Sequence, residues 1–168
     1  LKIDKEADLP KFYKDTLMKS INKNETKNLN KPIDKVVIFP TCFVNYNNPS
    51  LGMITKKILD EFGVENKFFY EGCCGMPQLE GGDIESVTTK ALETSKKLKN
   101  YIEDGYKIIS VVPSCTLMLK YEWPLLLPSS EEVKYLSRNT FDICEYLVKL
   151  INNEKLFDRI KPINKNET

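Results

Sequence analysis

Five cysteines carry the distinctive chemistry of this 168-residue chain: Cys42, Cys73, Cys74, Cys115 and Cys144. The chain has no histidine. Within this segment that excludes Ser-His-Asp and Cys-His catalysis, His-containing zinc sites, haem held by histidine and a histidine pH switch. A metal held here has only sulfur and oxygen to bind. Cys73 and Cys74 are adjacent and sit between Gly72 and Gly75 in the turn EGCCGMP. Glycine on both sides permits positive φ, which lets neighbouring side chains turn toward a common centre. A vicinal disulfide is strained, and an extended strand sends adjacent side chains to opposite faces. A turn that presents two thiolates to one metal centre accounts better for the pair.

Cysteines so far apart in sequence need elements that bring them together. VVIFP (Val36 to Pro40), VENKFFY (Val64 to Tyr70) and KIISVVP (Lys107 to Pro113) read as short buried strands, and Cys42, Cys73, Cys74 and Cys115 each fall just after one of them. Amphipathic helical patterns follow: LGMITKKILDEFG with Ser50 as cap and Gly63 as stop, a long helix from about Asp83 to Glu103, and a helix from Ser114 through Leu125. SSEEVKYLSR and TFDICEYLVKLI, the latter with Thr140 as cap, add two more. The economical architecture is three-layer α/β: a short parallel sheet of three to four strands with helices on both faces, preceded by an N-terminal helix and linker. Sites in such sheets gather at the carboxyl ends of the strands, where these four cysteines fall.

Cys144, on an apolar helical pattern, reads as a core thiol and not a ligand. For the other four, independent burial, disulfides and metal binding are the competing readings. An odd cysteine count without a signal sequence suits a reducing compartment, and chance burial does not explain four strand ends, so metal binding is preferred. Thiolate-only sites leave zinc and iron-sulfur. The absence of a C-x-x-C knuckle favours iron-sulfur.

The phrases FPTCFVNYNNP, EGCCGMPQLEGGD and VVPSCTLMLKYEWPLL resemble the cysteine-rich CCG domain found in one subunit each of heterodisulfide reductase and of anaerobic glycerol-3-phosphate dehydrogenase. The resemblance is closer to the glycerol-3-phosphate dehydrogenase type and covers about Val36 to Leu150. The family pattern is a lone Cys, a Cys-Cys-Gly and a final Cys-x-x-Cys, which fall on Cys42, on Cys73 with Cys74 and Gly75, and on Cys115. The last cysteine is replaced by Met118, which leaves four thiolate ligands in place of five and is expected to pack in the core. The resemblance implies an iron-sulfur cluster of [4Fe-4S] type, for which the complete motif can supply a noncubane site, held by Cys42, Cys73, Cys74 and Cys115. Gly72 and Gly75 would shape that cofactor site. It further implies electron transfer from a dehydrogenase or flavoprotein subunit toward quinone or a disulfide, with a second CCG module and a ferredoxin-like domain in the full-length chain. On that reading the segment is part of an oxidoreductase complex and carries no catalytic residue of its own. Two other readings stand beside it: a cluster-free interaction module that docks a partner subunit, and dithiol chemistry at Cys73 and Cys74.

Lys and Arg number 25 against 24 Asp and Glu, a net charge of +1, so no basic field draws the chain to nucleic acid or anionic lipid. No apolar run reaches the roughly 18 to 20 residues of a membrane helix, so attachment at the inner membrane face would come through partners and the module is expected in the cytoplasm. Residues 1–34 read as an N-terminal helix (Leu9 to Ile21) and polar linker, 35–155 as the cysteine-rich domain, and 156–168 as a linker to a following module. INKNET occurs at Ile21 to Thr26 and again at Ile163 to Thr168, which reads as chance repetition in a biased composition or as a duplicated linker. Leu1 in place of Met suggests a segment of a longer protein. Gly81-Gly82 reads as a structural turn, and the Asn24-Glu25-Thr26 and Asn166-Glu167-Thr168 triplets as composition. Trp123 and Tyr121 read first as apolar-face residues.

Overall fold

A computed structural model describes residue 6 and residues 10–21, 31–154 and 156. The linker at 22–30, most of the first INKNET copy, all of the second and both glycosylation-like triplets lie outside the described residues. Four parallel strands form one sheet: β1 (Asp34–Phe39), β2 (Val64–Phe68), β3 (Lys107–Ser110) and β4 (Thr140–Asp142), in the order β2-β1-β3-β4. In register, Val36 faces Asn66 on one side and Lys107 on the other. The period of two divides β1 between two cores. Val37 and Phe39 join Ile108 under the helices α4 (Ile84–Glu103) and α7 (Glu131–Arg138), while Val36 and Ile38 join Ile109 against Leu59, Tyr146 and Leu150 of α2 (Pro49–Phe62) and α8 (Ile143–Glu154). The α/β architecture with helices on both faces is as the sequence implies.

Several local expectations are corrected. The helix expected over Leu9 to Ile21 shrinks to α1 (Leu17–Ser20), because Thr16 caps it and the preceding segment spends its polar groups elsewhere. Tyr13 N–H donates to the Tyr46 carbonyl at 2.8 Å and Asn47 Nδ2 to the Lys11 carbonyl at 2.8 Å. Fully buried Leu17 lies over Gly52, where a Cβ would come within 2.3 Å of Leu17 Cδ2. Asn48, not Ser50, caps α2, accepting from Leu51 N–H at 3.3 Å, because Pro49 takes the first helical position. Pro113 likewise opens α5 (Pro113–Leu117), which puts Ser114 inside the helix instead of at its cap. Thr140 begins edge strand β4 and does not cap a helix; Asp142 accepts from Cys144 N–H at 2.8 Å where α8 starts.

Between the sheet's two cores the chain leaves β1 toward β2 and then returns past β1 to β3. That reversal makes β1 and β3 diverge in their outgoing loops, and such switch points are where open parallel sheets hold ligands. The loop after β1 contains Cys42, that after β2 contains Cys73 and Cys74, and that after β3 leads to Cys115. No helix among the described residues is long and apolar enough to cross a membrane.

Candidate metal centre

Each loop turns sharply into a helix at its cysteine. Thr41, two residues past the end of β1, is the one non-glycine residue with positive φ (70°) among the described residues, and its Oγ1 accepts from Val44 N–H at 3.3 Å. A β-branched residue in this region is strained, and the strain sits next to Cys42, which opens a π-helical turn (Phe43–Asn47). After β2, Gly72 (φ 142°) and Gly75 (φ 89°) bracket the cysteine pair as the sequence required, and Gly75 leads into α3 (Met76–Glu80). Exposed Glu71 pairs with Lys97 of α4 beside this loop. Cys115 lies within α5, which continues through a second π-helical turn (Met118–Glu122) into α6 (Trp123–Leu126).

The four thiols meet in two contacts that cross between loops. Cys42 S–H donates to Cys73 Sγ at 3.7 Å, and Cys74 S–H donates to Cys115 Sγ at 3.1 Å. Cys42 and Cys73 are half-buried, while Cys74 and Cys115 are only 1% and 6% exposed. The two contacts join into one directional chain. Cys73, whose thiol is held well above its usual value first by donating to Cys74 and then by burial, links the outer pair to the inner. Cys74 is pushed up to about 12, chiefly because it donates to Cys115. Cys115, the acceptor at the end of the chain, is lowered by that same bond, against the opposing effect of its burial. Burial is the main cause that raises Cys42, with the neighbouring Cys73 next.

Backbone amides add positive potential. Gly75 N–H donates to Cys73 Sγ at 3.5 Å. The amides of Phe43 and Met76 act on Cys42 and Cys74 in the same sense, lowering the thiols they face. Amides directed at sulfur favour the thiolate form that a metal requires. Among the described residues no group of three or more His, Cys, Asp or Glu side chains surrounds a single ion position. What the loops supply is an all-sulfur donor set with amide support, which suits the soft, thiolate-held class of centre.

Sequence reasoning placed Cys42, Cys73, Cys74 and Cys115 at one edge, and the structure brings all four together there. Cys144 differs: it is exposed at the start of α8, because the buried face of that helix carries Tyr146 and Leu150 and Cys144 shares the opposite face with exposed Val148. Met118 is fully buried, in the same hydrophobic core as Cys74 and Cys115. Gly81-Gly82 forms a turn between α3 and α4, with Gly82 at φ 79°. Tyr121 is exposed, whereas Trp123 is fully buried with its indole N–H on the Cys74 carbonyl at 3.1 Å. Sequence reasoning missed that contact, although a buried tryptophan N–H calls for an acceptor.

Among curated proteins, the chain is 30% identical over 129 residues to a subunit of the anaerobic glycerol-3-phosphate dehydrogenase of Escherichia coli, covering 76% of this chain and 32% of that protein. It is 28% identical over 126 residues to lactate utilization protein A of Bacillus subtilis, covering 71% and 50%. It is 28% identical over 135 residues to a subunit of the fumarate reductase (CoM/CoB) of Methanothermobacter marburgensis, covering 79% and 24%. The chain thus spans between a quarter and a half of the length of these relatives. No solved structure matches it at a significant level. Residues 36–120, half of the chain and the stretch that holds all four clustered cysteines, match the CCG cysteine-rich domain, and the chain belongs to that family.

Proposed function

We propose that this chain is an iron-sulfur electron-transfer module of an oxidoreductase complex, with Cys42, Cys73, Cys74 and Cys115 as the ligands of a [4Fe-4S]-type cluster. The observation that carries this reading is the convergence of four thiols from three successive strand-end loops, in two contacts of 3.7 and 3.1 Å with backbone amides directed at the sulfurs. A bound cluster supplies reversible one-electron uptake and release. The protein holds the sulfurs in place, keeps water from the inner pair by burying Cys74 and Cys115, and offers the outer pair at the surface. Two relatives carry names of dehydrogenase and reductase subunits, which supports a place among the subunits of an oxidoreductase; within that proposal the donor is a dehydrogenase or flavoprotein partner and the acceptor a quinone or a disulfide. The same relatives are longer than this chain, consistent with a second CCG module and a ferredoxin-like domain around residues 35–155, with 1–34 and 156–168 as flanking segments. Attachment at the cytoplasmic membrane face would run through partners.

The test is anaerobic purification of the full-length protein with iron and acid-labile sulfide analysis. Both are expected in the parent and lost when Cys73 and Cys74 become Ser. Absence of both in the folded parent would reject the reading. A second reading, a cluster-free docking module, draws on fully buried Met118 in place of the motif's last cysteine and on exposed Phe43 and Leu117. It expects complex assembly and electron flux unchanged in the same double variant.

A further inference from the structure

We infer that Trp123 is a positioning residue for the cysteine centre, fixing the orientation of the Cys74–Gly75 peptide so that its N–H faces Cys73 Sγ. The inference rests on the reading of the four thiols as cluster ligands. Trp123 is the single tryptophan of the chain and is fully buried at the first position of α6. Its indole N–H donates to the Cys74 carbonyl, 49 residues away in sequence, at 3.1 Å. The next atom along that peptide, the Gly75 nitrogen, donates to Cys73 Sγ at 3.5 Å.

A trans peptide is planar, with its C=O and N–H on opposite sides. Holding the carbonyl toward Trp123 therefore holds the amide toward Cys73. Sterics alone do not fix this plane. Gly75 sits at φ 89° with no Cβ, and Gly72 at φ 142° loosens the other end of the turn, so a peptide flip meets little local resistance. A flip would replace a hydrogen-bond donor at Cys73 sulfur by a carbonyl oxygen, which opposes negative charge there, and would leave the buried Trp123 indole N–H without its acceptor. Donors to ligand sulfurs raise the reduction potential of a thiolate-held cluster. Trp123 also shares one continuous helical run with Cys115, so the contact ties the loop after β2 to the helix after β3.

The test replaces Trp123 site-specifically in the full-length protein by β-(3-benzothienyl)alanine, which keeps the shape and lacks the N–H. An azatryptophan that keeps the N–H serves as the conservative control, and Trp123→Phe as a genetically encoded second variant. Two quantities are read: the midpoint potential of the loaded protein, and hydrogen exchange of the Gly75 amide in the cluster-free protein. The benzothienyl variant is expected to show a more negative potential and roughly tenfold faster Gly75 exchange, the loss of about one hydrogen bond, while azatryptophan keeps both at parent values. Parent values of both in the benzothienyl variant would overturn the role of Trp123, even if Trp123→Phe fails to fold. A parent protein that takes up no iron or sulfide would instead reject the cluster reading, and Gly75 exchange would still decide whether Trp123 holds the peptide.

Discussion

Cys74 and Cys115 bring their sulfurs to 3.1 Å although they follow strands β2 and β3, which are separated in the sheet by β1. The two loops must therefore arch across the carboxyl end of β1, where Cys42 sits, and the contact holds the proton on Cys74 while easing ionisation of Cys115.

That arrangement makes the cluster-free protein sensitive to alkaline pH. Unfolded thiols ionise near 9.0, while folded Cys74 keeps its proton up to about 12. Between those values the unfolded state binds fewer protons, so the stability that Cys74 contributes is whole below pH 9.0 and is lost as the pH rises through the folded value. Cys73 and Cys42, also raised, act in the same direction. Cys115, which is lowered, acts oppositely: its contribution is present above 9.0 and lost as pH falls. Urea titrations across pH 9.0 are expected to show falling stability in the cluster-free parent and a flatter profile in Cys74→Ala. Identical pH slopes would refute the shift.

Exposure sorts the five thiols. In the native, cluster-free protein a small alkylating reagent is expected to modify exposed Cys144 first and half-buried Cys42 and Cys73 next, with Cys74 and Cys115 reacting only on unfolding. Loading should shield Cys42 and Cys73 and leave Cys144 reactive. Peptide mass mapping reads the order, and protection of Cys144 by loading would place it in the centre after all. In the same way Cys144→Ser should leave iron content at the parent level.

Gly75 and Gly63 both occupy left-handed conformations, at φ 89° and 77°, yet they differ in surroundings. A Cβ on Gly63 meets nothing within 4 Å, whereas on Gly75 it meets Val87 at 3.4 and 3.5 Å and Met118 Cε at 3.8 Å. Both alanine variants should lose about 1 to 2 kcal/mol from the backbone conformation alone, measured by urea unfolding. Only Gly75→Ala should also lower iron content, because only that turn carries the amide to Cys73. Equal iron content in the two variants would detach the turn's shape from the centre.

The sheet, its parallel sense and the gathering of four cysteines were legible because three strand-length runs, two of them rich in β-branched residues, each end just before a cysteine. Less legible were features set by tertiary competition. Tyr13 bonds to Tyr46 instead of continuing a helix, and Thr140 pairs into an edge strand where its pattern allows a cap. Cys144 sits in an apolar pattern, but the helix buries Tyr146 and Leu150 and leaves Cys144 with exposed Val148 on its outer face. Thr41's positive φ carries no sequence signal at all, since a β-branched residue disfavours that conformation.

Met118 offers the most direct probe of how far the centre extends. It is fully buried in the same core as Cys74 and Cys115 and stands where the family pattern has its last cysteine. Met118→Cys removes a methylene and a methyl group from a packed site, at a cost of about 2 kcal/mol in the cluster-free protein. The new thiol lies in the helical run that starts at Pro113, at the position whose parent side chain reaches toward the Gly75 turn with its Cε. In the loaded variant it is expected to resist alkylation under partial denaturant more strongly than in the cluster-free variant, because a ligand or near-ligand thiol is released only with the centre. The stability loss should also shrink on loading, read as the difference in urea midpoint between loaded and cluster-free protein. A thiol at position 118 that reacts equally in both forms would place this position outside the centre, as a packing residue only.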